Sequence, residues 1–508
     1  MKLTLPILAW SLLVSLCLSL VSWFVLVLQR FTPPDPQWLT LATWLQVTFA
    51  DPVLRWVALE SLAIGFIPVW LLLYLLGDGS DAGERVLRGA RLVTGKQLAK
   101  LTRRKPAGCQ VVLAGVPIPL ACEPSHVLLA GSTNTGKSVA IDGLLASALA
   151  RGDRCIVIDP NGHALARFGR KGDVLLNPFD RRGPGWGLFN EVRKDYDFER
   201  LAASVVPDSA DAGSQVWHGY ARQLLAETMR AMAQNGETST ERLLYWLTQA
   251  SAETLGAFLV GSAASGQFEP GAEKALASTR FILAHHLGPY QHLRDGEFSL
   301  RTWLESGTGN LYLPWRQDML AALKPLISGW VDILMASVLT LPTDHPRPLW
   351  LVLDELASLE RLSSLEAALT KGRKHGLRVV AGLQSVAQLD ALYGQHNANT
   401  LRSCFRNLLA LGCSSADPAT AKVIAEGLGQ VEVERTQTTH NQGQAGNTKS
   451  TTQQRSIDDL VLPSELTALE PLNGYLKLAG NLPVARIHLQ PRDTPVCNKP
   501  FVERTCSA

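Results

Sequence analysis

One segment constrains this chain more than any other. The apolar run His126-Val-Leu-Leu-Ala130 leads into Gly131-Ser-Thr-Asn-Thr-Gly136-Lys137-Ser138, and a helix-compatible stretch, Val139 to Ala150, follows. Two glycines let the backbone bend so that successive N–H groups point inward, at the positive end of the following helix. Strand, loop and helix in that order are what a phosphate-binding P-loop requires. Nucleotide contact is therefore expected along the whole loop: Gly131, Ser132, Thr133, Asn134, Thr135, Gly136, Lys137 and Ser138. Lys137 reaches the β- and γ-phosphates, and the Ser138 hydroxyl ligates magnesium. ATP and Mg2+ are the cofactors this predicts. The competing reading is a Gly-rich turn before an ordinary helix, and the strand context disfavours it.

The N-terminal region has a different chemistry. Leu5 to Leu28 carries no charge and is long enough, as a helix, to span about 30 Å of hydrocarbon. A cleaved signal peptide has a shorter core and a small-residue cleavage site, which this segment lacks. A second span is expected at Trp56 to Leu76, with Glu60 near its start and Pro68 within it. Between the spans Arg30 and Arg55 balance Asp35 and Asp51, whereas Arg85, Arg88, Arg91, Lys96, Lys100, Arg103, Arg104 and Lys105 follow the second. The positive-inside rule then places both termini and the body in the cytoplasm. Trp10, Trp23, Trp56 and Trp70 suit interfacial belts, or packing between the two helices.

In the body, Arg154 to Ile158 reads as a buried strand ending in the turn Asp159-Pro-Asn-Gly162, and Val174 to Asn177 as another short strand. Helical stretches then dominate: Asp197 to Val205, Ser214 to Gln234, Glu241 to Leu247, Ala252 to Val260 and Ala272 to Leu287. Thr238-x-x-Glu241 is a candidate capping box for the third. Strand and helix alternate again through Asn310 to Pro314, Gln317 to Leu341, Leu349 to Leu353, a helix over Leu359 to His375, Arg378 to Leu383 and Asn407 to Leu411. The class this predicts is α/β, a central mostly parallel sheet covered by helices on both faces. Thr436 to Arg455 is polar, lacks acidic residues and reads as a flexible loop. Leu472 to Leu489 reads as a hairpin turning at Gly480-Asn481. The expected organisation is an anchor over 1–80, a first nucleotide-binding part over 81–185, an inserted all-α domain over 186–297, a second nucleotide-binding part over 298–490 and a tail over 491–508.

A net charge of +3 over 508 residues excludes a global basic field, so any contact with nucleic acid must be local. The eight cysteines form no C-x-x-C pair and read as reduced thiols, although Cys497 and Cys506 lie close together in the tail. His285, His286 and His292 have no Cys or carboxylate at metal-ligand spacing, which points to a surface or helix-end role.

Three further features bear on catalysis. Leu349 to Leu353 ends in Asp354-Glu355, as a Walker B element requires. Asp354 would hold the magnesium, and Glu355 would orient and deprotonate the attacking water. Gln384 ends the strand Arg378 to Leu383, at the sheet edge where ligands gather. It is a candidate partner of the γ-phosphate or the water, with a polar strand cap as the alternative. Arg373 is a candidate arginine finger, supplied in trans to a neighbouring subunit's nucleotide. With Lys371 and Lys374 beside it, it also fits a cation at a helix C-terminus, and residue chemistry alone favours that. Lys371, Lys374 and Arg378 read as solvated charges, with phosphate-backbone contact as the alternative.

Taken together, the chain resembles the conjugative coupling proteins of type IV secretion systems, in their TrwB/TraD-like branch. The matching stretches are Gly131 to Ser138, Asp159-Pro-Asn-Gly162, Asn177-Pro-Phe-Asp180, Asp354-Glu-Leu-Ala-Ser-Leu-Glu360, Thr370-Lys-Gly-Arg-Lys374 and Val380-Ala-Gly-Leu-Gln-Ser385. The resemblance implies a RecA-like P-loop ATPase in the bacterial inner membrane, assembling as a homo-hexamer and translocating single-stranded DNA during conjugative plasmid transfer. It implies that Lys137, Ser138, Asp354, Glu355 and Gln384 serve the nucleotide, and it makes Arg373 the finger. The all-α segment would face the relaxase and its relaxosome, and the membrane hairpin an inner-membrane protein of the channel. The long acidic tail of some relatives is not seen before Ala508, which puts tail-mediated docking in doubt. The alternatives are a relaxosome scaffold without motor activity and a pump for duplex DNA.

Overall fold

The computed structural model describes residues 5–30, 50–77, 84–104, 106, 109–343, 348–443 and 446–504. Asp35, Lys105 and Cys506 lie outside the described residues. Two compact units emerge, Met1–Arg88 with Glu432–Ile457, and Gly89–Val431 with Asp458–Ala508.

The first unit contains two 26-residue helices, Leu5–Arg30 and Pro52–Gly77, on the two segments expected to cross a membrane. They approach along small residues. Ser15, Ser19 and Ser61 are buried, and a Cβ added at Gly65 would meet the Ser19 hydroxyl at 2.0 Å. Close backbone approach of this kind is how helices associate when lipid removes the hydrophobic drive between them. Trp23 is buried with Val27, Leu54 and Val57, so packing explains it. Trp10, Trp56 and Trp70 stay exposed and suit the belts. A third helical stretch, Gln317–Val338, is also long and apolar enough to cross a membrane, but most of it is buried in the core of the second unit.

Thr436 to Arg455 is not the loop its composition suggests. Strands Gln430–Gly443 and Gly446–Asp459 pair there, with Glu84–Gly89 beside the first. Strand pairing needs only backbone N–H and C=O groups, and the many threonines favour extended backbone. Low apolar content does not forbid it.

The second unit is built on a ten-stranded sheet in the order Leu92–Thr94, Val484–His488, Asn473–Lys477, Asn407–Leu411, Val127–Ala130, Leu377–Leu383, Leu349–Leu353, Arg154–Pro160, Leu311–Trp315, Val174–Leu175. It is parallel except where Asn473–Lys477 pairs antiparallel with both neighbours, which includes the hairpin expected at its end. Successive side chains alternate between two cores. Val127 and Leu129 pack toward the helices Gly95–Thr102 and Lys137–Arg151, while Leu128 and Ala130 face the other side. Both faces are covered, which is why the strands read as near-continuous apolar runs. The second core continues without a break from the sheet through helix Leu320–Val338 into the helical run that begins at Asp197.

Two local expectations fail in that run and after it. The third helix is Thr240–Leu244 and continues as a π-helix over Tyr245–Gln249. Its cap is Ser239 without a side-chain bond, so the Thr238 capping box does not form. The helix over Leu359 to His375 shrinks to Leu365–Lys371 plus a 3-10 turn, Gly372–His375. Its missing first turns have given their N–H groups to neighbours: Glu360 to Ser328 Oγ at 2.9 Å, Leu362 to the Tyr393 hydroxyl at 3.1 Å, and Ser364 to Asp332 Oδ1 at 2.6 Å.

Candidate active site

Four parallel strands deliver the site. In register, Leu353 lies beside Ala381 and Ile158, and Leu383 beside Ala130. The residues that follow, Asp354, Asp159, Gln384 and Gly131, therefore emerge together at the carboxyl edge of the sheet.

The loop is fixed from several directions. Gly131 donates to the Leu383 carbonyl at 3.0 Å, Ser132 to the Gly412 carbonyl at 2.8 Å, and Leu472 to the Thr135 carbonyl at 3.0 Å. The Thr135 hydroxyl closes back on the Ser132 carbonyl at 2.8 Å. Asn134 and Gly136 take positive φ, 61° and 113°, and a Cβ at Gly136 would meet the Leu489 side chain at 2.8 Å. Lys137 opens the helix Lys137–Arg151 as a buried residue, and its Nζ donates to the Gly131 and Ser132 carbonyls at 2.6 and 3.1 Å. Thr133, Asn134 and Ser138 are exposed around it, and Ser132, Thr135 and Gly136 are half-buried.

Opposite the lysine stand the two acids. Asp354 Oδ1 and both carboxylate oxygens of Glu355 are shut away from solvent, yet have no hydrogen-bond partner of normal geometry. Burial pushes both carboxyls up from their ordinary range, and the Lys137 ammonium pulls them back. The Gln384 amide lies close enough to favour the charged form of Glu355 as well. Burial in turn lowers Lys137, with Glu355 and Asp354 opposing. Unsatisfied buried oxygens beside a P-loop fit a divalent cation and an ordered water, because leaving them bare is costly.

In the sequence Asp159 reads as part of a turn and of a family-matching stretch, with no role of its own, and Asp142 and His163 are not singled out. Asp159 accepts from the Ala164 and Leu165 N–H groups at 2.9 and 2.7 Å, while burial pushes its carboxyl up to about 6. Asp142, one turn after Ser138, accepts from Arg167 Nη1 at 2.6 Å and contacts His163 Nε2 at 3.0 Å. The available signal for Asp159 was an apolar strand ending in an acid, the same pattern that singled out Asp354.

Arg373 is not brought to this site within the chain. It is exposed in the turn Gly372–His375, which precedes the strand Leu377–Leu383, so it lies at the opposite edge of the sheet. Lys371 and Lys374 are exposed there too. Arg378, expected as a solvated charge, is instead half-buried, with its Nε 3.5 Å from Glu123 Oε2. Arg151 bonds both Glu123 and Asp153 in the same cluster.

One glycine couples the acids to the sheet. A Cβ at Gly382 would sit 1.8 Å from the Asp354 carbonyl oxygen, a backbone atom that cannot move aside cheaply. Gly382→Ala is expected to destabilise the fold by about 1–3 kcal/mol. Denaturant or thermal melting checks this, and an unchanged midpoint would contradict the close approach.

The geometry has counterparts among known proteins. The family described as type IV secretion-system coupling protein DNA-binding domain matches residues 110–490. The coupling protein TraD of Escherichia coli (strain K12) is 27% identical over an alignment of 469 residues that covers 88% of this chain and 64% of TraD. The chain thus spans slightly under two thirds of that relative's length. Among solved structures, the unbound bacterial conjugative coupling protein TrwBdeltaN70 is 45% identical with a TM-score of 0.78, over 84% of this chain and 98% of that one. Plasmid coupling protein TrwB in complex with ADP and Mg2+ gives 45% identity and a TM-score of 0.77 over the same shares.

Proposed function

This chain belongs to the type IV secretion-system coupling proteins, and from that premise we propose that it is a membrane-anchored ATPase that drives single-stranded DNA into a secretion channel during conjugation. The observation that carries the reading is the meeting at one sheet edge of a P-loop lysine and two half-buried carboxylates whose shielded oxygens lack hydrogen bonds of normal geometry. TrwB, similar over most of this chain, takes ADP and Mg2+, and ATP with Mg2+ is the ligand pair proposed here.

In this reading the loop N–H groups and Lys137 bind the phosphates. Ser138 and Asp354 hold Mg2+, which would neutralise charge on the β- and γ-oxygens when bound. Glu355 positions the attacking water and takes its proton, and Gln384 holds the water or the γ-phosphate. Arg373 acts on the next subunit's nucleotide, so the working form is a ring, a homo-hexamer by the family resemblance. The two helices Leu5–Arg30 and Pro52–Gly77 would span the inner membrane, with both termini and the ATPase body cytoplasmic and the hairpin against a channel protein. The all-α domain, 186–297, is the proposed relaxosome face. It exposes Tyr196, Val216, Val260 and Phe281, apolar surface that suits a protein partner.

ATP turnover by the full-length protein in detergent, with and without single-stranded DNA across a protein concentration series, tests this. Turnover should be DNA-stimulated, rise more steeply than protein concentration, and vanish in Lys137→Ala. Bound ATP with no turnover, or turnover indifferent to DNA, would reject the motor in favour of a scaffold.

A further inference from the structure

Far from the P-loop in sequence, helix Glu273–Leu287 ends in His285 and His286, and the fold brings Glu360 against both. We propose that His285, His286 and Glu360 form a binding site for a divalent first-row transition ion, with Zn2+ as the representative. The site does not depend on the nucleotide chemistry.

Two of the donor separations are close to those of ligands arranged around an ion. His286 Nδ1 lies 3.2 Å from Glu360 Oε2, and His285 Nε2 lies 3.5 Å from Glu360 Oε1. One donor atom from each of the three residues falls within 4.8 Å of the others. Zinc bonds of about 2.0–2.2 Å set neighbouring donors of a tetrahedron about 3.3–3.6 Å apart.

A second observation is independent of spacing. His286 is only 5% exposed, and its Nδ1 faces the carboxylate without a hydrogen bond of normal geometry. A buried imidazole nitrogen left unsatisfied is costly, and a metal ion would satisfy it.

The surroundings support a cation. The histidines occupy the last turn of a 15-residue helix, where the carbonyl ends carry partial negative charge. Glu360 is held in place by its N–H bond to Ser328 Oγ at 2.9 Å. His285 is exposed, leaving an entry path and room for water as a further ligand. His218 sits edge-on to His286 at 5.8 Å, with its Nδ1 engaged by the Pro207 carbonyl at 2.7 Å, and it lies outside the three-residue cluster.

Two imidazoles and one carboxylate select zinc, nickel or cobalt over magnesium, which keeps to oxygen donors. The bound ion would tie the helical run to the loop that follows Asp354 and Glu355.

The test titrates ZnCl2 into full-length protein without a histidine tag, in detergent and without nucleotide, by calorimetry or by competition with a chromophoric chelator. One Zn2+ per chain is expected. His285→Ala and Glu360→Gln should each weaken it beyond the about 10–100-fold that losing an outer-shell partner costs. His285 is exposed, so that variant should fold, and melting in EDTA should match the parent for both. No saturable site at one per chain overturns the proposal. So does an affinity that survives either substitution.

Discussion

ATP turnover is expected to fall by about 10³–10⁵-fold when Arg373 is replaced by Ala, with nucleotide affinity of each chain unchanged. The magnitude is that of a cation placed on charge developing at a transferred phosphoryl group. The placement argues for action in trans: Arg373 is exposed at the sheet edge opposite Asp354 and Glu355, and cannot serve its own nucleotide. As a helix-end cation it would contribute about 0.3–1 kcal/mol of stability and nothing to turnover per folded chain. Mixing separates the two roles. Arg373→Ala subunits supply intact acids and Glu355→Gln subunits supply intact fingers, so mixed rings should regain part of the activity that each lacks alone. Wild-type turnover in the single variant would assign Arg373 to the structural role.

Glu355→Gln should lower turnover by about 10²–10⁴-fold, the usual contribution of a positioned general base, and leave ATP bound. The substitution conserves shape and removes the basic oxygen. Both Glu355 oxygens are buried without partners, and burial raises the carboxyl while Lys137 opposes it. Such a group makes no hydrogen bond of normal geometry, so the amide replaces it at little structural cost. Turnover and binding of a fluorescent nucleotide on the same preparation decide the matter. Activity within a few-fold of wild type would mean that another group activates the water.

The sheet was legible because its strands are buried on both faces and end in turn residues or acids. Val127–Ala130 and Leu349–Leu353 stand out on apolar run length alone. The P-loop was legible for a related reason, since its glycines answer a backbone demand that the positive φ at Gly136 makes explicit. What stayed hidden depended on partners distant in sequence. The helix expected over Leu359 to His375 lost its first turns to Ser328, Asp332 and Tyr393, and no local pattern announces that competition. Arg378 looked solvated until Glu123 came beside it. His286 lacked a carboxylate at ligand spacing, and the fold supplied one from Glu360. The hairpin over 430–459 is hidden for the opposite reason: its polar composition carries no apolar alternation, and backbone pairing alone suffices to form it.

The strand Leu377–Leu383 has a last consequence. Seven residues long, it runs for about 20 Å, with the turn bearing Arg373 just before it and Gln384 just after. It is a buried central strand, clamped on both sides by parallel neighbours, and so moves as one stiff rod. If Gln384 and Arg373 act as proposed, a shift at Gln384 when the γ-phosphate leaves would be delivered to the far end, where the finger would meet the adjacent nucleotide. Each subunit would then prime the one ahead of it. Firing order around the ring would then have a direction, set by which neighbour each strand reaches.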